Sequence, residues 1–230
     1  ADLRKGRLKS QQFKYGQIRI NFFGGLQLGE VPPLTTWEGL AARDADRIRA
    51  YDPTNGGRNL IPMQDIMAAI NKYAEEENWD KDPVSGLYVP RPIQGSTLPL
   101  SLRGLNLVGS AETGSGKTMA FVVTAVSAID RTRRAPQVLM MAHNRALLDQ
   151  LVEEMRKMQT HLGRLSPANA FGVASLDEDN FDPSATVILS TAGKLAGAMR
   201  QISPGEIRLV VADEVDEIFQ NISQAMGHGR

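Results

Sequence analysis

The sequence predicts an α/β fold: a mostly parallel sheet flanked by helices, preceded by an irregular N-terminal extension. Three observations carry that prediction. From residue 105 onward, short apolar runs alternate with segments of helical period, the pattern of strands joined by crossover helices. A glycine-rich stretch, AETGSGKT at 111–118, stands between an apolar run and a helical segment. A second apolar run, IRLVVADE at 207–214, ends in two adjacent acids. In an open parallel sheet both features fall beyond the carboxyl ends of the strands, where ligands bind.

The chain of 230 residues suffices for one sizeable core. Residues 1–62 are expected to form the extension and 63–230 the domain. Residues 1–20 carry Arg4, Lys5, Arg7, Lys9, Lys14 and Arg19 against Asp2, which suits either a basic arm on nucleic acid or a tail lying on the surface. Residues 24–62 mix Gly, Pro and both charges with little period, with a short helix expected near 39–50. Met63, Ile66, Met67, Ile70 and Tyr73 or Ala74 then share one face of a helix over 63–77. NWDKDPVSGLYVPRP (78–92) breaks it with Pro and Gly.

Leu105–Val108 is expected as the strand before the glycine-rich loop, and a helix follows from Lys117 to about Ile129. QVLMMA (137–142) predicts a buried strand, and Leu147, Leu148, Leu151, Met155 and Met158 line the next helix. NAFGVAS (169–175) and ATVILS (185–190) predict further strands. Leu195 and Met199 fall on a short helix, and 207–214 closes the set.

Composition narrows the chemistry. The 26 Lys and Arg balance 26 Asp and Glu, so the chain lacks the basic excess many nucleic-acid binders carry, although local patches can still hold phosphate. No apolar run is long enough to predict a membrane span. The lack of cysteine excludes disulfides and thiolate metal sites. It suits a reducing compartment, mitochondrion or cytoplasm/nucleolus, without choosing among them. His143, His161 and His228 are too scattered for a zinc cluster.

The loop 111–118 matches the phosphate-binding pattern G-x-x-x-x-G-K-[ST] except that Ala111 replaces its first glycine. Gly114 and Gly116 allow backbone N–H groups to turn inward, and the helix beginning near Lys117 adds its unpaired N–H groups. Lys117 suits the outer phosphates of a nucleotide and the Thr118 hydroxyl suits Mg²⁺. Asp213 suits the same ion, and Glu214 suits the orientation or deprotonation of an attacking water. Taken singly, the loop is also readable as a Gly/Ser turn with a surface lysine, and the acids as solvated loop residues. Their pairing favours the nucleotide site.

These stretches resemble the first RecA-like domain of the DEAD-box RNA helicases, over roughly 63–220. Ala111 is the usual residue of that family's A-x-T-G-S-G-K-T loop, so the resemblance implies nucleotide binding by Ala111, Thr113, Gly114, Ser115, Gly116, Lys117 and Thr118. ADEVD (212–216) resembles D-E-A-D, with Val215 in the alanine place. GLYVPRPIQ (86–94) resembles the adenine-reading motif, with Gln94 as its base-specific residue. Trp79 and Tyr73 are candidates to stack on the base, although ordinary packing is the other reading and the preferred one for Tyr73.

AHNRALLDQ (142–150) resembles A-P-T-R-E-L-A: Arg145 and Leu147 match, His143 and Ala146 stand for Pro and Glu, and Asn144 replaces Thr. STAGKL (190–195) resembles A-T-P-G-R-L: Thr191 and Gly193 match, Lys194 keeps the charge, and Ala192 replaces Pro. The resemblance thus implies RNA contacts at Arg145, Thr191, Gly193 and Lys194. A paired-glycine loop survives only as Gly172, and the acidic run DEDNFD (177–182) opposes a phosphate chain.

The resemblance implies ATP and Mg²⁺ as cofactors, Glu214, Lys117 and Asp213 as the catalytic set, and ATP hydrolysis that remodels RNA or RNA–protein complexes. Single-stranded RNA held by its backbone is the implied partner, with a second RecA-like domain required in cis. Neither that domain nor the family's serine-alanine-threonine stretch occurs within these residues. The domain is therefore expected to be incomplete at its C-terminal end, and the chain alone inactive as a helicase. The alternative is a ribonucleoprotein (ribosome) assembly or structural factor with weak or no ATPase activity. A third reading, another P-loop ATPase such as a DNA helicase or transporter motor, is opposed by the adenine motif and ADEVD.

Overall fold

The computed structural model describes the backbone of residues 11–15 and 18–22, and residues 31–202 and 204–220. Arg4, Lys5, Arg7, Lys9, His228 and the stretch 24–30 lie outside the described residues. Strands β1 (Gln11–Tyr15) and β2 (Ile18–Phe22) pair antiparallel, with Phe13 opposite Ile20 and Lys14 opposite Arg19. Charge led the sequence reading to an arm or tail, whereas the apolar alternation of Phe13 and Tyr15 with Ile18, Ile20 and Phe22 carries a hairpin.

A 3₁₀ turn (Trp37–Arg43) leads into α1 (Asp44–Tyr51), the short helix expected near 39–50. The amphipathic α2 (Met63–Glu76) follows. Trp37, Leu40 and Ile61 belong to the same buried core as the sheet residues Val138, Met140 and Val187. Arg47, fully buried, ties this segment down: its guanidinium meets Asp44 at 2.7 Å and donates to the carbonyls of Ile61 at 2.9 Å and Ser127 at 3.4 Å. Trp79 stacks on Trp37 with ring centroids 5.8 Å apart and meets the edge of Tyr73 at 5.4 Å. Both candidate stacking aromatics are thus engaged in packing.

Helix α3 (Pro92–Ser101) was not foreseen, because Pro92, Gly95 and Pro99 suggest a connector. Each has a physical role in the helix. Pro92 is in the first turn, where no N–H is needed. Pro99 lacks the N–H that would bond the carbonyl of Gly95 four residues earlier. That carbonyl instead accepts from the Leu34 N–H at 2.8 Å. A side chain at 95 would put its Cβ 2.6 Å from the Leu34 oxygen, so glycine permits the approach.

The remaining elements are α4 (Lys117–Ala128), β3 (Val138–Ala142), α5 (Arg145–Leu165), β4 (Val173–Ser175), β5 (Val187–Thr191), α6 (Ala192–Ala198) and β6 (Leu209–Ala212). The four strands form a parallel sheet in the order β4-β5-β3-β6. Val138, Met140 and Ala142 face the core built with α2, α4 and α5, while Leu139 and Met141 face Ile202 and Leu195 on the opposite side. This is the predicted α/β architecture with helices on both faces. The register aligns Ala142 with Thr191, and Met141 with Ala212, so the residues that follow these strands share one rim.

The amino ends of the strands are closed by a polar network. Asp130 accepts from the Thr132 N–H at 2.9 Å and hydroxyl at 2.6 Å, and lies 3.4 Å from both Arg133 and Arg208. Gln137 exchanges side-chain hydrogen bonds with the Asp130 backbone, both 2.8 Å. Burial raises the Asp130 pKa; the Thr132 hydrogen bonds, Arg208 and Arg133 outweigh it and hold the carboxyl below its ordinary value.

One expected element is absent. Leu105–Val108 forms no strand; Val108 is 95% exposed. Among the described residues no strand lies beside it to satisfy its backbone, and β6 is a sheet edge with Val210 55% exposed. An apolar run becomes a strand only when a neighbour pairs with it.

Candidate functional site

The loop Ala111–Gly116 delivers the chain to the head of α4. Gly116 caps that helix at φ 90° and Gly114 has φ 79°, both in the left-handed region that glycine occupies without strain. At 116 there is also no room: a Cβ would lie 2.6 Å from Gln94 Nε2. Gln94, only 2% exposed, donates from Nε2 to the Gly116 carbonyl at 3.0 Å and accepts at Oε1 from the Arg91 N–H at 2.7 Å. The Arg91 guanidinium donates to the Gly114 carbonyl. The first turn of α3 therefore clamps the loop from one side.

Within the loop, the Ser115 N–H donates to the Glu112 carbonyl at 3.2 Å, while the buried Ser115 hydroxyl has no hydrogen-bond partner among the described residues. Lys117 folds back so that Nζ donates to the Ala111 carbonyl at 2.8 Å. Thr113 is exposed and Thr118 half-buried on the first turn of α4. An orphaned hydroxyl, a lysine held only by its own loop and a glycine cradle fit a phosphate chain. The Thr118 hydroxyl and the Asp213 carboxylate are hard oxygen donors of the kind Mg²⁺ takes. Among the described residues no group of three or more His, Asp or Glu side chains is poised for a metal.

Helix α4 packs against β6, whose end carries the two acids. The Asp213 N–H donates to the Met141 carbonyl at 2.9 Å, extending the ladder with β3. Asp213 Oδ1 accepts from the Glu214 N–H at 3.1 Å. Glu214 has φ 51°, in the left-handed region that a glutamate seldom enters, and its carbonyl accepts from the Ile218 N–H at 3.2 Å. Its Oε2 lies 2.7 Å from Nδ1 of His143, the first residue after β3.

The four implied RNA residues lie along the same rim, and their charges are already engaged. Arg145 meets Asp149 at 2.9 Å and Asp177 at 3.4 Å, and Lys194 meets Asp177 at 3.0 Å. Asp177, two residues past β4, holds both cations while its buried Oδ2 has no hydrogen bond among the described residues. The hydrogen bond that Arg145 donates to Asp149, reinforced by the charges of Asp149, Asp177 and Glu178, raises the already high pKa of Arg145. Thr191 ends β5 and exposed Gly193 opens α6.

The family model for the DEAD/DEAH box helicase matches residues 91–228. The chain belongs to that family. This DEAD-box domain is 34% identical over 147 residues to DEAD-box ATP-dependent RNA helicase 21 of Oryza sativa subsp. japonica, covering 59% of this chain and 20% of that protein. It is 32% identical to ATP-dependent RNA helicase ddx23 of Dictyostelium discoideum, covering 85% of this chain and 25% of the relative. The chain thus spans a quarter or less of these two relatives. Among solved structures, a variant of S. cerevisiae Dbp5 bound to Gle1 and IP6 shares the fold at a TM-score of 0.60 and 22% identity, covering 82% of this chain and 41% of that one.

Three residues of this DEAD-box domain escaped the sequence reading. Arg91 precedes the proline of the adenine motif and carries no pattern of its own. His143 stood out only as a departure from the family's proline. Asp177 was part of an acidic run, and only the sheet shows that it sits between Arg145 and Lys194.

Proposed function

We propose that this domain binds ATP with Mg²⁺ and, joined in cis to a second RecA-like domain, hydrolyses ATP to remodel RNA or RNA–protein complexes. The observation that carries the reading is the clamp of Gln94 and Arg91 on the loop at the head of α4. Helix α4 in turn packs against the strand that ends in Asp213 and Glu214. Family membership supports the same reading.

In this reading the loop N–H groups and the head of α4 hold the β and γ phosphates. Lys117 exchanges the Ala111 carbonyl for the outer phosphates. Thr118 and Asp213 would hold Mg²⁺, which when bound draws charge from the phosphate oxygens. Gln94 keeps one N–H and one lone pair beyond those used in the clamp, the donor and acceptor needed to read an adenine edge. Glu214 takes a proton from the water that attacks the γ phosphorus. Arg145, Thr191, Gly193 and Lys194 form a short track for the backbone of single-stranded RNA, largely independent of sequence.

The test is ATP turnover by the protein carrying both RecA-like domains, with and without single-stranded RNA, beside Glu214→Gln. The expected result is RNA-stimulated turnover, lost in the variant while ATP still binds. Undiminished turnover in the variant would overturn the assignment of Glu214. A second reading, a ribonucleoprotein assembly factor with weak or no ATPase activity, draws support from the pairing of both track cations with Asp177. Stable retention on an RNA–protein particle without RNA-stimulated turnover decides for it.

A further inference from the structure

His143 touches Glu214, and a chain of hydrogen bonds fixes which of its ring nitrogens carries the proton. The chain starts at α5. Asn144 caps that helix, its Oδ1 accepting from the Leu147 N–H at 3.0 Å. The cap fixes the amide orientation: the oxygen is on the helix, so the NH₂ group faces the other way. That NH₂ nitrogen lies 2.7 Å from His143 Nε2. An amide NH₂ only donates, so Nε2 is the acceptor and the proton of the neutral ring sits on Nδ1.

Nδ1 is 2.7 Å from Glu214 Oε2. Among the described residues Nδ1, shut off from solvent, completes no hydrogen bond, so the 2.7 Å contact is a close approach of a buried donor to Oε2. Glu214 is constrained at its other groups too. Its N–H is on Asp213 Oδ1, its carbonyl accepts from Ile218, and its backbone stands at φ 51°. An uncommon backbone conformation persists where surrounding contacts over-determine it, and such residues cluster at functional sites.

We propose that His143 is a positioning residue for Glu214. Its neutral Nδ1–H, 2.7 Å from Oε2, aligns on that oxygen once nucleotide is bound and leaves Oε1 for the attacking water. This rests on the reading of Glu214 as the group that handles that water. In the step it serves, the water oxygen bonds to the γ phosphorus as the bond from that phosphorus to the β–γ bridging oxygen breaks. ADP leaves with the electron pair and the water proton passes to Glu214 Oε1. A neutral donor orients the carboxylate without cancelling its charge. Proline, the family residue at this place, has no side-chain N–H, so the device belongs to this chain's own sequence.

The experiment compares wild type, His143→Ala, His143→Asn and Glu214→Gln in the protein carrying both RecA-like domains. The readouts are ATP affinity and RNA-stimulated kcat. Asparagine places its amide nitrogen where His143 has Nδ1 and restores the donor. The expected result for His143→Ala is a loss in kcat of about tenfold, part of the 10²–10⁴ that a positioned base supplies, with ATP affinity unchanged. His143→Asn is expected to recover most of that loss. Wild-type kcat in His143→Ala, with Glu214→Gln inactive, overturns this proposal alone. Equal losses in the Ala and Asn variants also overturn it, since a missing ring and not a missing donor is then at fault. Wild-type turnover in Glu214→Gln overturns the reading of Glu214 itself, and the positioning role with it.

Discussion

Gln94 and Gly116, 22 positions apart in the chain, are joined by a hydrogen bond of 3.0 Å from the side-chain amide to the backbone carbonyl. The bond makes the adenine motif and the phosphate loop one mechanical unit. Gln94→Ala leaves the Arg91 N–H and the Gly116 carbonyl without these partners, which costs about 0.5–1.5 kcal/mol for each part-buried bond. Competition titration with ATP and GTP should show weaker ATP binding in the variant and loss of the wild type's preference for ATP. A wild type with no preference between the two nucleotides would leave the glutamine as a loop clamp only.

Lys117 has a lighter structural duty, a single bond to the Ala111 carbonyl from a half-buried position. Lys117→Ala should therefore leave the melting temperature close to wild type while lowering affinity for ATP by about tenfold or more, the scale of a lost charge-assisted contact. Affinity for AMP, which lacks the outer phosphates, should change little. Calorimetric titration with both nucleotides separates the two. Equal losses for ATP and AMP would mean that the lysine shapes the loop and not the phosphate site.

The sequence revealed the sheet where apolar runs were long and continuous. Val138–Ala142 and Leu209–Ala212 formed inside the expected stretches, and Val187–Thr191 overlaps its stretch and runs one residue past it. It misled at 105–108 because apolarity alone does not supply a pairing partner. It hid α3 because Pro99 breaks a helix unless its freed carbonyl finds another donor. That donor, Leu34, lies 61 positions before Gly95 in a segment read as irregular. The glycine-rich loop and the paired acids were legible because their chemistry is local in sequence. The Gln94 clamp, the His143 contact and the Asp177 pairings were not, since each joins residues of separate elements.

Asp130 gives the fold a pH dependence with a defined sign. Its carboxyl is held below the ordinary aspartate value, so it binds protons less readily folded than unfolded. Its stabilisation is complete above the unfolded pKa of about 4 and is lost as pH falls through the lower folded value. Asp130→Asn should cost about 1–3 kcal/mol at pH 7, seen as a lower melting temperature. The gap from wild type should narrow as the pH is taken from about 5 down to 3. A gap that stays constant over that range would show that shape, not charge, is what Asp130 contributes.

Asp177 determines whether the rim can hold RNA. Its carboxylate meets Lys194 at 3.0 Å and Arg145 at 3.4 Å, so an incoming phosphate competes with an anion already present. Asp177→Asn removes that competitor while nearly preserving shape. If the track binds RNA, the variant should bind single-stranded RNA more tightly in the ATP-bound protein, and similarly for different sequences. Its affinity should fall more steeply with salt, by roughly one unit in the log–log slope for each additional phosphate neutralised. Replacing Arg145 and Lys194 together should do the reverse and reduce RNA crosslinking, with ATP affinity unchanged because neither residue touches the loop at 111–118. Binding measured across a salt series for the three proteins tests both directions at once. Identical slopes in all three would remove these cations from the RNA path and favour an assembly factor that docks through other surfaces.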